Sequence, residues 1–265
     1  QTYRNIDVYI RDDGSNDSTP QILCEYENRM QSGVRIHVLR DSLGNLGYVK
    51  NFLKTIRDSG DAEYYAFCDQ DDYWLPDKIK NAVELLSKKP QNKCLLYSCA
   101  YETRDENLDF VSEGVPTSFN RLDVGKSLSL FDGGWLLGFT LVMNRHLKKL
   151  AFDNDEQEMY SHDIWTQAVA VGFGGELVYD ERIGAYFRRH SSTTSIAESG
   201  VNSSFINAWT YRWNEFFGNG KLFVQLKSGM QTYAKIYGNR VKKKRDQEFL
   251  TYFGAEKNKY RFKKL

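Results

Sequence analysis

Three carboxylates follow directly on a short run of apolar and aromatic residues, and this junction constrains the fold more than any other stretch. The run, residues 64–68, is long enough for one buried strand. The carboxylates are Asp69, Asp71 and Asp72, and Pro76 after them suits the first turn of a helix. In open α/β sheets, ligands bind beyond the carboxyl ends of the strands. The stretch therefore predicts an α/β fold with an acidic ligand site at a strand end.

Clustered acids repel one another, so this cluster needs a cation to hold it together. Carboxylate oxygens are ligands that Mg²⁺, Mn²⁺ and Ca²⁺ prefer, and Mg²⁺ typically takes one or two carboxylates together with substrate phosphates. The physical hypothesis is a divalent ion on Asp69 and Asp71 that holds a diphosphate. The alternative is an acidic surface turn in which Asp77 caps the following helix, because motifs this short match by chance.

The first third of the chain alternates between the two kinds of apolar periodicity. Strands are predicted at 6–10, 34–39 and 64–68, and helices begin near residues 19 and 48. The first helix is expected to bury Ile22, Tyr26 and neighbouring apolar residues, Met30 included. Short βαβ units of this kind predict a mostly parallel sheet. The strand ends would then bring five residues to one sheet edge: Asp12, Asp13, Asn45, Asp69 and Asp71.

The rest of the chain extends this domain and adds a helical region. We expect an α/β domain over 1–200 and a basic helical region over 201–265, with residues 102–123 as a long loop. The remaining predicted elements are strands at 94–100, 139–143, 177–179 and 183–187, and helices at 78–88, 144–150 (capped by Asn144) and 161–171.

Charge is divided unevenly along the chain. The chain carries 36 Lys and Arg against 35 Asp and Glu, a balance that indicates no nucleic-acid partner. Residues 219–265, however, carry 13 basic against 3 acidic side chains, beside apolar residues such as Tyr233, Ile236 and Tyr237. Such a surface suits an anionic membrane or a partner subunit, including a second copy of the chain. Packing on the body of the protein is the alternative, and is expected for an earlier aromatic stripe at 205–217.

The cysteines and the hydropathy indicate a compartment. Cys24, Cys68 and Cys94 lie in apolar runs and, with Cys99, are expected to be buried, reduced thiols, although a Cys94–Cys99 disulfide stays open. No apolar run reaches transmembrane length, and no signal peptide is visible. We therefore expect a cytoplasmic protein, at most peripheral at the inner face of the membrane.

Four blocks in one order carry a resemblance to a known family. They are Arg-Asp-Asp-Gly-Ser-Asn-Asp-Ser-Thr at 11–19, Asn-Leu-Gly-Tyr-Val-Lys-Asn-Phe at 45–52, Asp-Gln-Asp-Asp-Tyr-Trp-Leu-Pro-Asp at 69–77 and His-Asp-Ile-Trp at 162–165. Together they resemble family 2 of the nucleotide-sugar glycosyltransferases, which have the GT-A fold, over roughly residues 1–195. The later segment 186–190 is similar to bacterial capsule and rhamnosyl transferases.

The resemblance implies a role for each matching residue. It implies that Asp13, with Asp12 beside it, holds the nucleotide base, and that Asp163 is the general base of an inverting reaction. Asn45 and Lys50 of the second block are assigned to donor binding. The remaining assignments are to ribose, metal and diphosphate, with Mn²⁺ or Mg²⁺ as cofactor: Asp69, Asp71, Arg188 and His190.

Ordinary structural roles stand beside three of these assignments. Asp163 is also what a helix N-terminus favours electrostatically. His190 could be a loop histidine that bonds to backbone, and Lys50 a solvated helix charge. The family usually begins with one more strand and helix, which we expect these residues to lack, leaving the nucleotide pocket open on one side.

The expected function is metal-dependent, inverting transfer of a hexose or deoxyhexose. The donor would be a nucleotide-diphosphate sugar, with UDP-sugars favoured and dTDP-rhamnose next, and the acceptor a glycan, glycolipid or glycoprotein. A non-catalytic nucleotide-sugar-binding or assembly subunit is the alternative. A phosphoryl-transfer enzyme with Asp69 as nucleophile would leave the Asp12-Asp13-Gly-Ser block unexplained.

Overall fold

The computed structural model describes residues 1–27, 29, 33–114, 136–154, 159, 161–189, 221–238 and 240. Its strands are β1 Ile6–Arg11, β2 Val34–Leu39, β3 Tyr64–Ala66, β4 Tyr73–Trp74, β5 Leu95–Arg104, β6 Phe110–Glu113, β7 Leu141–Asn144 and β8 Glu176–Arg188. Its helices are α1 Thr19–Glu27, α2 Tyr48–Asp58, α3 Lys78–Ser87, α4 Arg145–Phe152, α5 His162–Gly172 and α6 Lys221–Tyr237, and a 3₁₀ turn spans Gly138–Thr140.

The strands form two sheets. β1 and β2 make a parallel pair, and the other six follow the order β3-β7-β5-β8-β4, with β6 paired to β5. The α/β class is confirmed, but the larger sheet is more mixed than predicted: β5 and β8 are parallel, and its four other pairings are antiparallel. β3 does not join β1 and β2 in one sheet, because this short strand takes its hydrogen bonds from β7.

Strand β5 is the centre of the core because both of its faces are covered. Side chains alternate between faces along a strand. Leu96 lies in a cluster formed mainly with α2, α4, α5 and α6. Leu95 and Tyr97 point to the other face, where Ala82 and Leu86 of α3 cover them. The sheet is thus a middle layer between helices, and its strand ends remain free to carry a site.

Two predicted irregular segments are strands in the structure. The separate strands predicted at 177–179 and 183–187 are one strand, β8, whose ladder with β5 shifts register near Ala100. The two continue together to Arg104 and Arg188 because the irregularity absorbs the extra residues. Residues 102–114 are therefore a hairpin of β5 and β6, not the first part of a long loop. Residues 115–135 lie outside the description.

The expected burial of α1 is wrong. Ile22 is 47% exposed and Tyr26 is 38% exposed, and the helix has no buried residue. The helix packs mainly against β2, whose two-stranded sheet is too narrow to cover it. Cys24 and Cys68 are likewise exposed, whereas Cys94 and Cys99 are buried. All four cysteines are free thiols, so the Cys94–Cys99 disulfide does not form.

Helix α6 packs into the main core. Tyr233 and Tyr237 are buried, and their rings lie 5.7 and 5.8 Å from that of Trp165. The Tyr237 hydroxyl donates to the Leu150 carbonyl over 2.7 Å. The expectation that these two tyrosines face a membrane or partner is therefore wrong, because polar and aromatic partners on α4 and α5 cover them. The stripe at 205–217 and the cations after Arg240 lie outside the described residues.

Two local expectations are confirmed. The Asn144 side chain accepts the Leu147 N–H and caps α4, as its position predicted. Helix α2 begins at Tyr48, as predicted, and buries Leu53 and Ile56. In the part of the chain that the structure describes, no helix combines the length and apolarity that a membrane span requires.

The docking of α6 predicts a large stability difference between two substitutions on that helix. Tyr237→Ala removes a fully buried ring, so the free energy of unfolding should fall by about 3–5 kcal/mol. Lys235→Ala, at an exposed position of the same helix, should change it by no more than about 0.5 kcal/mol. Urea unfolding of both variants measures the difference. Equal midpoints would show that α6 does not contribute to the core in solution.

Candidate active site

The acidic cluster lies where β3 ends and β4 begins, and the end of β8 meets it. The backbone N–H of Arg188 donates to Asp72 Oδ1 over 3.2 Å. The Arg188 Nε–H donates to the backbone carbonyl of Asp71 over 2.9 Å. Because β4 pairs with β8 in antiparallel register at Tyr73 and Tyr186, the ladder itself sets this approach. A guanidinium is thus held beside the acids predicted to hold a metal and diphosphate.

Burial gives these acids unusual proton affinities. It raises the pKa of Asp69 to about 6, and the charges of Asp71 and Asp163 act in the same direction. It also raises the pKa of Asp72 to about 8, and the charge of Asp69 adds to this rise. Like charges in a poorly solvated site disfavour ionisation. The cluster is therefore electrostatically incomplete and favours a cation.

Asp163 occupies the first turn of α5. Burial raises the pKa of its carboxyl to about 6, although the backbone N–H groups of Ile164, Asp163 itself and Gly138 bond to it and oppose the rise. The Ile164 N–H donates to Oδ1 over 2.7 Å. The rings of Phe67 and His162, two residues before Asp69 and one before Asp163, lie 4.5 Å apart, so the fold brings the two predicted residues close together. A carboxyl with this pKa is mostly ionised at pH 7 and can accept a proton.

A buried guanidinium organises the loop at 40–47, called the donor-side loop because Asn45, a predicted donor residue, lies on it. Sequence patterning missed the role of this guanidinium. Arg11, at the end of β1, is 7% exposed. Its Nε–H and one Nη2–H donate to the two oxygens of Asp41 over 2.8 and 2.9 Å. The other three N–H groups donate to Asp13 Oδ1, Asn51 Oδ1 and the Gly44 carbonyl, over 2.7, 2.9 and 2.9 Å. All five N–H donors of Arg11 are used, so the end of β1, the donor-side loop and α2 are held together.

Asp13 extends this network into the loop. Its carboxylate accepts the Leu46 and Gly47 backbone N–H groups, both over 2.8 Å, besides the Arg11 bond. Burial alone would raise the pKa of Asp13, but these three bonds lower it on balance. Asn45 Oδ1 accepts the same Gly47 N–H over 3.1 Å. The predicted donor residues Asp13 and Asn45 therefore shape one loop.

The other predicted donor residues are placed differently. Asp12 accepts the Ser15 backbone N–H and hydroxyl and so closes its own turn. Lys50 is exposed on α2. His190 lies outside the described residues. Tyr48, which was not among the predicted site residues, begins α2 directly after the donor-side loop and is 62% exposed.

The side chains of the acidic cluster decide whether a divalent ion could bind. Among the described residues, no three His, Cys, Asp or Glu side chains are arranged to hold a metal ion. The acids do fit the way Mg²⁺ or Mn²⁺ binds beside phosphates, where one or two carboxylates supply part of the shell. The raised pKa values of Asp69 and Asp72 fit an additional positive charge there. Asp69 and Asp71 would hold such an ion together with ligand oxygens.

Several known proteins resemble this chain in sequence or in fold. Curated relatives include an uncharacterized glycosyltransferase of Rickettsia typhi, 28% identical over 201 residues, which are 74% of this chain and 58% of that protein. An uncharacterized Mycobacterium tuberculosis protein is 29% identical over 187 residues, 70% of this chain and 51% of its own. The chain thus spans little more than half the length of these relatives.

Two further similarities carry more specific names. The UDP-Glc:alpha-D-GlcNAc-diphosphoundecaprenol beta-1,3-glucosyltransferase WfaP of Escherichia coli is 24% identical over 196 residues, 74% of this chain and 70% of that enzyme. The crystal structure of S. aureus TarS in complex with UDP-GlcNAc superposes with a TM-score of 0.51 and 16% identity, covering 94% of this chain and 70% of that one. The latter likeness supports the GT-A fold.

A match between the sequence and a protein-family model identifies the family of the chain. The family described as glycosyl transferase family 2 matches residues 1–140, which include the donor-side loop and the acidic cluster. This match extends over more than half of the 265 residues. The chain therefore belongs to glycosyl transferase family 2.

Proposed function

We propose that the chain transfers a hexose or deoxyhexose from a nucleotide-diphosphate sugar to a glycan, glycolipid or glycoprotein, with inversion and with Mn²⁺ or Mg²⁺. One observation carries the proposal: Asp69 and Asp163 lie close enough for their charges to interact, and both have a pKa near 6. One carboxyl follows β3 in the acidic cluster, and the other begins α5. Such a pair provides a diphosphate side and a base side within one site.

The geometry around Asp13 favours a uracil or thymine base in the donor. A carboxylate has about four acceptor positions, and three at Asp13 are taken by Arg11, Leu46 and Gly47. One position is left, which matches the single ring N–H of uracil or thymine. Guanine presents two adjacent donors and needs both oxygens. The names of WfaP and of the TarS complex, which contain UDP-Glc and UDP-GlcNAc, support UDP-sugars first and dTDP-rhamnose next.

On the leaving-group side, cationic groups oppose the charge that develops on the diphosphate. Asp69 and Asp71 would hold the divalent ion, which supplies positive charge to the leaving diphosphate when bound. Arg188 is anchored through its Nε–H to the backbone carbonyl of Asp71, and its terminal N–H groups would face phosphate oxygens. His190 remains assigned to the same side by its sequence position.

On the acceptor side, Asp163 would act as general base. The acceptor hydroxyl oxygen attacks the anomeric carbon from the face opposite the diphosphate, and the bond from that carbon to the diphosphate oxygen breaks. The hydroxyl proton passes to the Asp163 carboxylate. A pKa of about 6 keeps this carboxyl ionised at neutral pH yet basic enough to assist.

We also propose a compartment and a contact surface. We place the protein in the cytoplasm, with residues 219–265 contacting the inner face of the membrane or a second copy of the chain. The charge of 13 basic against 3 acidic residues supports this. Because Tyr233 and Tyr237 are buried, the contact would involve residues beyond α6.

A donor panel tests the proposed function directly. UDP-, dTDP- and GDP-sugars are compared with Mn²⁺ for thermal stabilisation and for nucleotide release, since ligand binding raises apparent stability. We expect stabilisation by uracil or thymine donors and steady nucleotide release. Binding without turnover would instead indicate a non-catalytic nucleotide-sugar-binding subunit, and no binding to any donor would refute the proposal.

Substitution at Asp71 tests the metal assignment. Asp71→Asn removes a charged oxygen ligand, so we expect loss of transfer and a weaker Mn²⁺-dependent increase in UDP affinity. Asp109→Asn, on an exposed turn before β6, is the matched control and should behave as wild type. Calorimetric titration of UDP with and without Mn²⁺ measures the effect. Full Mn²⁺-dependent turnover in Asp71→Asn would remove this residue from the metal site.

The pKa of Asp163 predicts a pH profile. A base works in its ionised form, so kcat should be constant above pH 6 and fall tenfold per pH unit below about 6. At saturating Mn²⁺, which keeps the metal-site carboxylates ionised, Asp163→Asn should lower kcat by at least about 10²-fold and abolish this acidic limb, while UDP affinity stays near wild type. An unchanged kcat, or retention of anomeric configuration in the product, would contradict the assigned role.

The Arg11 network predicts that a lysine cannot replace this arginine. Arg11→Lys keeps the charge but offers at most three donors to five acceptors, so thermal stability should fall and UDP affinity should weaken about tenfold. Arg35→Lys is the matched control, since Arg35 makes the same two-bond contact with Asp7 at an exposed site. Thermal melts and UDP titrations compare the two. Equal behaviour would show that burial of the Arg11 network is unimportant.

A further inference from the structure

His162 precedes Asp163 and begins α5, and its ring nitrogens have no partner in the fold. The residue is 5% exposed. Among the residues that the structure describes, no group forms a hydrogen bond with its Nδ1 or its Nε2. Burying an unpaired polar atom is costly, and native structures rarely keep one without a role. Two such atoms on one ring therefore indicate that a partner arrives from elsewhere.

The surroundings of the ring keep it neutral. Phe52 lies against it with ring centroids 4.1 Å apart, and Phe67 meets it edge-on at 4.5 Å. Burial lowers the pKa of His162 to about 4, although the charge of Asp69 acts in the opposite direction. A neutral imidazole carries one N–H donor and one acceptor nitrogen. Its missing partner should therefore be able both to donate and to accept.

Gly138 sets how closely the backbone approaches this ring. A Cβ atom on Gly138 would lie 2.8 Å from His162 Nε2 and 3.4 Å from the Cβ of Asp163. The first distance is too short for a real contact, so a side chain at this position would push the imidazole aside. The glycine thus keeps the imidazole beside the proposed base.

We propose that His162 recognises a hydroxyl group of the sugar being transferred. The inference rests on the proposed function, in which the diphosphate lies towards Asp69 and the acceptor hydroxyl towards Asp163. The sugar must span these two sides, and His162 adjoins both. A sugar hydroxyl donates and accepts, which matches the neutral ring. The ring nitrogens are closed to solvent, so the ring turns about its broad Cβ–Cγ torsion as the sugar enters.

A histidine kept only for packing would respond differently to substitution. Its replacement by Phe would affect nucleotide and nucleotide-sugar binding alike. For a recognition residue, His162→Phe removes two unpaired polar atoms and keeps an aromatic ring, so thermal stability is kept or raised. What is lost is the extra affinity that the sugar adds to the nucleotide. The two roles therefore predict opposite patterns.

The experiment measures this sugar contribution as a ratio of dissociation constants. UDP and UDP-glucose, and separately dTDP and dTDP-rhamnose, are titrated with Mn²⁺ into the 265-residue chain and its variants. In His162→Phe, the preference for nucleotide-sugar over nucleotide should fall about five- to tenfold, with nucleotide affinity unchanged. His162→Gln, which keeps a donor and an acceptor, should retain part of it. His37→Gln, at a half-exposed histidine of β2, should retain all of it.

The outcomes distinguish a failure of the proposed function from a failure of the role proposed for His162. Binding of neither nucleotide by wild type would refute the proposed function and this inference with it. Nucleotide binding with no added affinity for either sugar, or a sugar preference that persists in His162→Phe and His162→Gln, would overturn the role of His162 alone. If His162→Phe does not fold, ¹⁵N spectra of the four wild-type histidines decide. The His162 ring nitrogens must then shift with nucleotide-sugar beyond the shift with nucleotide.

Discussion

The organisation of the donor side depends on one buried guanidinium. Arg11 ends β1, and its five N–H groups join that strand to the 40–47 loop and to α2. Its bonds to Asp41 raise its own pKa and lower that of Asp41, so both groups stay charged. Fully satisfied networks of this kind fix geometry, whereas a half-satisfied one is costly. The loop that Asp13 shapes is therefore preformed before any ligand arrives.

The acidic side of the site has the opposite character. Asp69 and Asp72 are half-buried near like charges, and the ring nitrogens of His162 lack partners among the described residues, so this half is polar but unsatisfied. An unsatisfied site stores free energy that suitable ligand groups can release. A preformed nucleotide side beside an incomplete transfer side suits a reaction in which interactions strengthen as charge develops. Folding and chemistry thus make different demands on neighbouring residues.

Sequence patterning could predict what depends on local spacing. The strand before Asp69, the helix that begins beside Asp163 and the Asn144 cap are local features, and the structure has them. It could not predict features set by distant partners. Whether Ile22 is buried depends on sheet width, and the Arg11–Asp41 contact joins residues on separate strands. Asp72 and His162 gain their unusual states from burial, which no short motif encodes.

The parallel ladder between β5 and β8 has a consequence for how the site forms. These strands are far apart in sequence, so their pairing carries a large loop-closure entropy and belongs among the slower steps of folding. Arg188 is at the far end of that ladder, opposite Arg104. Fraying from this end would withdraw the guanidinium from the acids while the core around Leu95 stays intact. Amide protection in this part of β8 would therefore report directly on the fraction of molecules in which the proposed diphosphate site is intact.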